Sequence, residues 1–326
     1  MIEDQVSEIL QSLPKRICDV LQPWAESSPD RPALVEDAGT WTYRQLSSAV
    51  AAARVWLFES GVRPGDRVMI VSENSRAFVA VLLGLASLDA WPVLVNARLA
   101  AVEVDRIREH CGARRLIYTS SVSPHAREHA HRHGAVILSV PEIGSIALGP
   151  LDQAVAPEPI DSDIADRVAA VIYTSGTTGH PKGVMLSHKS IVVNHRTVAS
   201  TGRLKERSQT VLMLPLSHSF GVLMMNVCYL TGCTATILPR FDAKQVLETI
   251  HTHRVTRFAV VPTMLVHLIN FPDREEYDTS CLESVNSGGA ILPNEVRVQF
   301  ERLYRCKVLD GYGLSECAPT ASAWTG

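Results

Sequence analysis

The chain has 326 residues, of which 46% are hydrophobic, and a formal net charge of only −3 at pH 7. This is enough apolar mass for a folded core, and the nearly neutral charge lacks the basic excess typical of proteins that bind nucleic acid. The longest apolar run, Ala77 to Ala86, is far shorter than the roughly 20 residues that a membrane-spanning helix needs. We therefore expect it to be a buried helix, and we expect no integral membrane segment and no nucleic-acid partner.

In chain order, short β-type runs alternate with segments of helical periodicity. The predicted strands are Arg67–Ser72, Trp91–Val95, Arg115–Thr119, Ala135–Val140, Val168–Tyr173, Thr210–Leu214, Thr234–Leu238, Arg257–Val261 and Leu282–Asn286. The predicted helices are Tyr43–Ser60, Ala77–Leu88, Ala101–Cys111, Lys189–Ser200, Ala243–His253 and Asn294–Tyr304. Such alternation is typical of α/β proteins with largely parallel sheets covered by helices.

One segment without periodicity, Gly144 to Asp166, is rich in Pro, Asp and Ala. We expect it to link a first α/β lobe, residues 1–165, to a second lobe, residues 166–326. The seven cysteines have no paired spacing, and no basic-then-apolar leader precedes Pro14. Both observations favour a reducing, cytoplasmic setting.

Two other clusters raise the question of a metal site. His125, His129, His131 and His133 are spaced so that pairs could share one helical face. Because no cysteine or acid cluster completes the site, a solvated surface helix is the favoured interpretation. Cys228 and Cys233 lie in an apolar stretch and are predicted to be core thiols.

The segment from Tyr173 to Val184, YTSGTTGHPKGV, has the composition of a loop that binds phosphate. Its glycines let backbone amides approach an anion, its hydroxyls add donors, and its lysine adds a mobile positive charge. The residues concerned are Thr174, Ser175, Gly176, Thr177, Thr178, Gly179, Lys182 and Gly183. A Walker A loop is excluded because the lysine precedes its glycine and no Ser or Thr follows, which argues against a phosphate-loop hydrolase.

YTSGTTGHPKGV resembles the signature of the adenylate-forming superfamily of acyl-CoA synthetases, luciferases and peptide-synthetase adenylation domains. The resemblance continues, in the family's order, through LPLSHSFG (Leu214–Gly221), NSGGAIL (Asn286–Leu292) and DGYGLSE (Asp310–Glu316). It is strongest toward acyl- or aryl-CoA ligases. It implies two packed, largely parallel sheets flanked by helices, the architecture of the family's N-terminal domain.

The DGYGLSE segment contains groups that suit a nucleotide. Gly311 and Gly313 leave room for a flat ring against Tyr312, and Glu316 offers a carboxylate oxygen of the kind that Mg²⁺ binds together with phosphates. The resemblance implies that Tyr312 stacks on adenine, that Ser315 contacts the α-phosphate and that Glu316 holds the metal. Further implied nucleotide-binding residues are Gly288, Gly289, Ala290 and Asp310.

The LPLSHSFG segment is implied to form the acid pocket. By resemblance His218 orients the carboxylate substrate and Phe220 and Gly221 continue the wall, although a hydrogen-bonded structural histidine is the alternative. Met225 and Gly289 complete the expected substrate-binding set. No carboxylate occupies positions 217–220, where adenylation domains for α-amino acids carry an aspartate, and the apolar residues nearby favour a fatty or aryl acid. These apolar residues are Val222, Leu223, Met224, Met225, Val261, Met264 and Leu265.

The implied reaction is ATP-dependent activation of a carboxylic acid to an acyl adenylate, followed by thioester formation with CoA. Lys182, His218, Ser315 and Glu316 are the predicted catalytic residues, because phosphate charge accumulates during adenylation and needs stabilisation. A carrier-protein thiol is the alternative acceptor, a non-catalytic nucleotide- or acyl-binding module is the alternative function, and a homodimer is left open.

The segment after Glu316 has no counterpart of the family's ribose-binding aspartate, hinge or C-terminal domain with its adenylation lysine. We therefore expect the chain to be the larger part of an N-terminal domain that binds nucleotide weakly and forms no acyl-CoA alone.

Overall fold

The structure, a computed structural model, describes residues 13–174, 181–201 and 204–323. Its strands are β1 (Pro32–Glu36), β2 (Gly39–Thr42), β3 (Arg67–Ser72), β4 (Trp91–Asn96), β5 (Arg115–Tyr118), β6 (Val136–Val140), β7 (Gly144–Leu148), β8 (Val168–Thr174), β9 (Lys182–Ser187), β10 (Gln209–Leu212), β11 (Thr234–Ile237), β12 (Arg257–Val260), β13 (Ser284–Ser287), β14 (Lys307–Gly313) and β15 (Thr320–Ala323). Its α-helices are α1 (Gln22–Ser27), α2 (Tyr43–Glu59), α3 (Arg76–Ser87), α4 (Ala101–Cys111), α5 (Pro124–Arg132), α6 (His188–Ser200), α7 (Ser219–Thr231), α8 (Ala243–His253), α9 (Pro262–Ile269) and α10 (Asn294–Tyr304).

The largest sheet has seven strands in the order β6-β7-β5-β3-β4-β8-β9. Its centre, β5-β3-β4-β8, is parallel, and β6, β7 and β9 run antiparallel to their neighbours. Strand β3 is buried from Val68 to Ser72, as expected for a parallel strand covered on both faces. Helix α3 packs on this core and is buried from Ala77 to Ala86, which confirms the predicted buried helix.

Two four-stranded sheets complete the fold. In the first, β10-β11-β1-β2, strand β1 lies parallel to β11 with Leu34 opposite Ala235. In the second, β12-β13-β14-β15, the first three strands are parallel and β15 is an antiparallel edge. The carboxyl ends of β12, β13 and β14 therefore share one edge, which is where open α/β sheets bind ligands.

The predicted α/β class with helix-flanked sheets is confirmed, but the strands divide among three sheets where two were expected. Within the expected linker, residues 144–148 form β7 instead, because the chain reverses through Glu142 (φ 64°) and Gly144 (φ 103°) and pairs with β6. Strand β8 follows the expected lobe boundary at residue 166 yet pairs with β4, so one sheet takes strands from both expected lobes.

The histidine cluster lies on and just after α5, and it is only partly a solvated surface. His125 and His131 are exposed, whereas His129 is buried with its Nε2 3.1 Å from the Ala97 carbonyl oxygen. His133 lies 2.8 Å from an Asp105 carboxylate oxygen, so the surface interpretation is wrong for these two. Their four-residue spacing places both against neighbouring elements of the protein.

The structure bears on the expectations about the cysteines, metal ligands and membrane-spanning helices. Cys228 and Cys233 are fully buried, which confirms them as core thiols. The described residues contain no group of three or more side chains placed to ligate a metal, and within the same residues no helix is long and apolar enough to cross a membrane. The cytoplasmic setting stays a prediction.

Candidate functional site

A cavity of about 310 Å³ opens at the carboxyl ends of β13 and β14, beside the N-terminus of α7. Its wall brings together residues that are far apart in the sequence but were predicted to act together. These are Thr174, His218, Phe220, Gly288, Gly289, Asp310, Gly311, Tyr312, Gly313, Ser315 and Glu316. The cavity is therefore the candidate functional site.

The lysine of the predicted phosphate-binding segment lies next to this cavity. Lys182 is exposed at the start of β9 and pairs with Thr174, which lines the cavity from the end of β8. Strand β9 also lies beside the single helical turn Ser315–Cys317 that carries Glu316. The predicted loop residues Ser175, Gly176, Thr177, Thr178 and Gly179 lie outside the described residues.

Besides Lys182, three further residues of the predicted site do not line the cavity. At Gly221 an added Cβ would lie 2.1 Å from the Pro215 carbonyl oxygen, so this glycine allows α7 to pack closely on the loop before it. Met225 is fully buried in the core, and Ala290 is exposed just after the cavity wall. Their assignments to substrate or nucleotide stay predictions.

The hairpin formed by β14 and β15 carries Tyr312, Ser315 and Glu316. At Gly313 a Cβ would lie 2.1 Å from the Pro319 carbonyl oxygen, so this glycine is required for the hairpin to close. At Gly311 an added Cβ would meet the Ser322 and Ser287 carbonyl oxygens at 3.7 and 3.8 Å, which is ordinary van der Waals contact, so packing does not require a glycine there. The Tyr312 side chain is 65% exposed, and its ring is available to a planar ligand.

The N-terminus of α7 forms the opposite wall. His218 caps this helix, because its Nδ1 accepts a hydrogen bond of 3.3 Å from the backbone N–H of Phe220. An accepting Nδ1 leaves the ring proton on Nε2, where it can serve as a donor. The His218 ring opens into the cavity, but surrounding protein still desolvates it and lowers its pKa. His218 is therefore neutral at neutral pH, and the helix N-terminus favours an anion beside it.

A buried hydrogen bond connects the two walls. Ser219, the first residue of α7, places its Oγ 3.1 Å from the Oγ of Ser315. On the apolar side, Phe220 packs against Gly288, where a Cβ would approach the ring to 3.2 Å. Leu223 and Met224 continue this side of the cavity. The site thus has a polar end formed by the hairpin and an apolar end formed by α7.

The residues at the polar end fit a magnesium ion that is bound together with phosphates. Glu316 has an exposed carboxylate in the cavity wall, and none of the ion pairs found among the described residues involves it. Mg²⁺ is usually held by one or two carboxylates and takes its other ligands from water and substrate phosphates. A single carboxylate at this place is therefore sufficient.

Sequence reasoning missed several residues of the site. Ser219 was noted only as part of a segment without a carboxylate, and its contact with Ser315 spans 96 residues. Asn286 and Thr320 line the cavity although no role was predicted for them. Asn194 contacts the hairpin from α6 across more than 120 residues. No local pattern in the sequence indicates such contacts.

Comparison with known proteins agrees with this geometry. A family model described as AMP-binding enzyme matches residues 21–326, so the chain belongs to the AMP-binding enzyme family.

Among its relatives is the long-chain-fatty-acid–CoA ligase FadD13 of Mycobacterium tuberculosis, 32% identical over 308 residues that cover 93% of this chain and 60% of the relative. A feruloyl-CoA synthase of Amycolatopsis is 33% identical over 300 residues, which cover 90% of this chain and 58% of that protein. The chain thus spans less than two thirds of these relatives. Among solved structures, the inhibitor-bound N-terminal domain of FACL13 from Mycobacterium tuberculosis has a TM-score of 0.78 at 29% identity, covering 94% of this chain and 77% of that one.

Proposed function

We propose that the protein uses ATP to activate a fatty or aryl carboxylic acid as an acyl adenylate and then transfers the acyl group to CoA. In this proposal the chain supplies the part that binds nucleotide and acid. The observation that carries the proposal is the cavity itself, because it combines Tyr312, Ser315 and Glu316 with an apolar wall. Two relatives named for fatty-acyl and feruloyl CoA esters support the same class of reaction.

Adenylation requires a carboxylate oxygen to attack the α-phosphorus of ATP. A phosphorus–oxygen bond to the acid forms while the bond to the β-phosphate breaks, and pyrophosphate leaves with the electron pair. Charge accumulates on the phosphates, and Lys182 beside the cavity opposes it. The Ser315 hydroxyl is placed to donate to the α-phosphate, and Tyr312 to stack on adenine. Magnesium held by Glu316 would neutralise phosphate charge.

The acid would bind at the apolar end, with its carboxylate near His218. The Nε2–H of neutral His218 donates to a carboxylate oxygen without removing a proton, since carboxylic acids are ionised at neutral pH. Phe220, Leu223 and Met224 offer an apolar surface that cannot pair with an ammonium group. This arrangement favours acids without an α-amino group, and methionine allows the wall to adapt to different chains.

Acid-dependent exchange of pyrophosphate into ATP tests the proposal. In the protein of which this chain is the nucleotide- and acid-binding part, we expect exchange with fatty or cinnamic-type acids but not with α-amino acids, followed by formation of the acyl-CoA when CoA is added. Glu316→Gln is the negative control, and Glu295→Gln, an exposed acid in the first turn of α10, is the matched control that should behave as wild type.

Each other outcome points to a different function. ATP binding without exchange for any acid would indicate a non-catalytic binding module. Exchange followed by acyl transfer to a carrier protein, but not to CoA, would show that the acceptor is a carrier-protein thiol. Exchange with α-amino acids alone would overturn the acid class, and ATP hydrolysis that needs no acid would overturn the reaction.

A further inference from the structure

The loop that carries Glu316 belongs to a hairpin with little support from its own sheet. Among the residues that the structure describes, strand β15 is the edge of that sheet and pairs with β14 alone. Within the loop, the Leu314 N–H donates to the Pro319 carbonyl at 2.9 Å and the Ala318 N–H donates to the Ser315 carbonyl at 3.1 Å. These bonds define the shape of the loop but do not fix its position relative to the rest of the cavity.

A side chain from α6 helps to fix that position. The Nδ2 of Asn194 donates to the carbonyl oxygens of Cys317 at 2.9 Å and of Thr320 at 2.8 Å. Its Oδ1 accepts from the backbone N–H of Thr320 at 3.3 Å. Both amide protons and the amide oxygen are therefore used, and all three bonds reach the backbone that follows Glu316.

Two anchors consequently flank the proposed metal ligand. On the N-terminal side, Ser315 is held by Ser219 of α7. On the C-terminal side, Cys317 and Thr320 are held by Asn194. Glu316 lies between these anchors, with its side chain exposed in the cavity wall. Its backbone is thus fixed from two different helices, while its carboxylate is left available.

Helix α6 also connects the hairpin with the phosphate-binding segment. Strand β9, which begins at Lys182, runs directly into α6, whose first residue is His188. The hydrogen bonds of Asn194 therefore tie the hairpin to the same continuous unit that holds Lys182.

From this geometry we infer that Asn194 is a positioning residue for Glu316, holding its carboxylate where a magnesium–nucleotide complex needs it. The inference rests on the proposed function, in which Glu316 holds Mg²⁺. Asn194 itself does not line the cavity with Glu316 and acts only through the backbone.

Asn194→Asp is the decisive variant because it preserves the size and shape of the side chain. Its carboxylate would face two carbonyl oxygens that have lost their donor, so we expect it to release the hairpin. Asn194→Ala removes the same bonds without adding charge. Thr197→Ala is the matched control, since the Thr197 hydroxyl donates only to Val193 within α6.

The first measurement is hydrogen exchange of the unliganded protein. We expect peptides covering residues 314–321 to exchange at least about tenfold faster in Asn194→Asp and Asn194→Ala, because an anchor of several hydrogen bonds is lost. Thr197→Ala should match wild type. If residues 314–321 exchange hydrogen in both Asn194 variants at the wild-type rate, the inference is wrong.

The second measurement is calorimetric binding of ATP with Mg²⁺ and of ATP with EDTA. We expect both Asn194 variants to weaken magnesium–ATP binding by about tenfold or more and metal-free ATP binding by less than about twofold. Equal losses with and without Mg²⁺, or no Mg²⁺-dependent gain in the wild type, would overturn the positioning role.

Failure of the proposed function would look different. If the wild-type protein supports no acid-dependent pyrophosphate exchange, the proposed ligase activity is wrong. The positioning role of Asn194 would still hold if both Asn194 variants weaken magnesium–ATP binding as described.

Discussion

The seven-stranded sheet and the sheet β12-β15 are built from the same kind of parallel centre but differ in what their strands present. Strands β3 and β4 pair over six residues, and their central residues are buried and almost all apolar. Strand β13 ends instead in Asn286 and Ser287, and its parallel pairing with β14 ends at Asp310; all three residues line the cavity. Covered strands such as β3 and β4 stabilise the fold but offer no side chain to a ligand, whereas open strand ends can do so. The seven-stranded sheet reaches the cavity at its other side, through Thr174 of β8, which pairs with Lys182 of β9. Changes in the covered strands and changes at the cavity should therefore affect different properties.

The largest expected effect is on activity, at the cavity. In the protein with established pyrophosphate exchange, Glu316→Gln and Lys182→Ala should each lower the exchange rate by about 100-fold to 1000-fold, as for groups that stabilise transition-state charge. Both side chains are exposed, so the free energy of unfolding should change by less than about 0.5 kcal/mol. Urea unfolding and exchange measured on the same preparations check this. The exposed Lys189, changed to alanine, is the control for Lys182. A variant with normal exchange would remove that residue from the proposed mechanism.

The second prediction concerns the covered strands. Ile70 in β3 is fully buried, so Ile70→Ala should lower the free energy of unfolding by about 2–5 kcal/mol through lost burial and the cavity left behind. The dissociation constant for magnesium–ATP should stay unchanged in the folded protein. Val136→Ala on β6, where the side chain is 62% exposed, is the matched control and should cost less than about 0.5 kcal/mol. Loss of nucleotide affinity in folded Ile70→Ala would show that the covered strands and the cavity are coupled.

The third effect is a pH dependence of stability that originates beside the covered strands. His188 is fully buried, its Nδ1 accepts from the Ile17 N–H at 3.2 Å, and Asp89, Arg16 and Arg167 are the charged groups that face it. Burial lowers its pKa from 6.5 to about 4. The native state therefore protonates His188 less readily than the unfolded chain does. The contribution of neutral His188 to the free energy of unfolding is complete above pH 6.5 and is lost as pH falls toward 4.

Denaturation measured between these pH values should show that the free energy of unfolding falls by on the order of 3 kcal/mol because of His188 alone. His188→Gln, whose amide oxygen can still accept from Ile17, should flatten the slope, whereas the exposed His125→Gln on α5 should not. An unchanged slope in His188→Gln would contradict this origin of the acid sensitivity.

The fold was predictable where periodicity was strong. Helices α4, α8 and α10 have the predicted bounds because each presents one buried and one exposed face. Helix α7 was not predicted as a helix, since it is buried from Gly221 to Tyr229 and has no polar face to mark the period. Strand β14 was missed because Asp310, Gly311 and Gly313 interrupt any strand pattern.

The site was predictable from its motifs only in part. The motifs identified many of the residues that line the cavity, since phosphate, adenine and metal binding demand particular side chains close together in the sequence. They could not identify Asn194 or Ser219, whose importance comes from contacts with a distant hairpin. The resemblance also could not separate Gly313, which the hairpin requires, from Gly311, where an added Cβ would make only ordinary van der Waals contacts.

The pairing of β1 with β11 has a consequence for how the chain is made. Leu34 pairs with Ala235, so roughly 200 further residues have to leave the ribosome before these two strands can form their sheet. At about 5–20 residues per second, that interval is roughly 10–40 s. Throughout it, the apolar surface of Ala33 and Leu34, fully buried in the finished molecule, has no native partner strand on that side. We therefore expect nascent-chain chaperones to bind the early hairpin β1-β2.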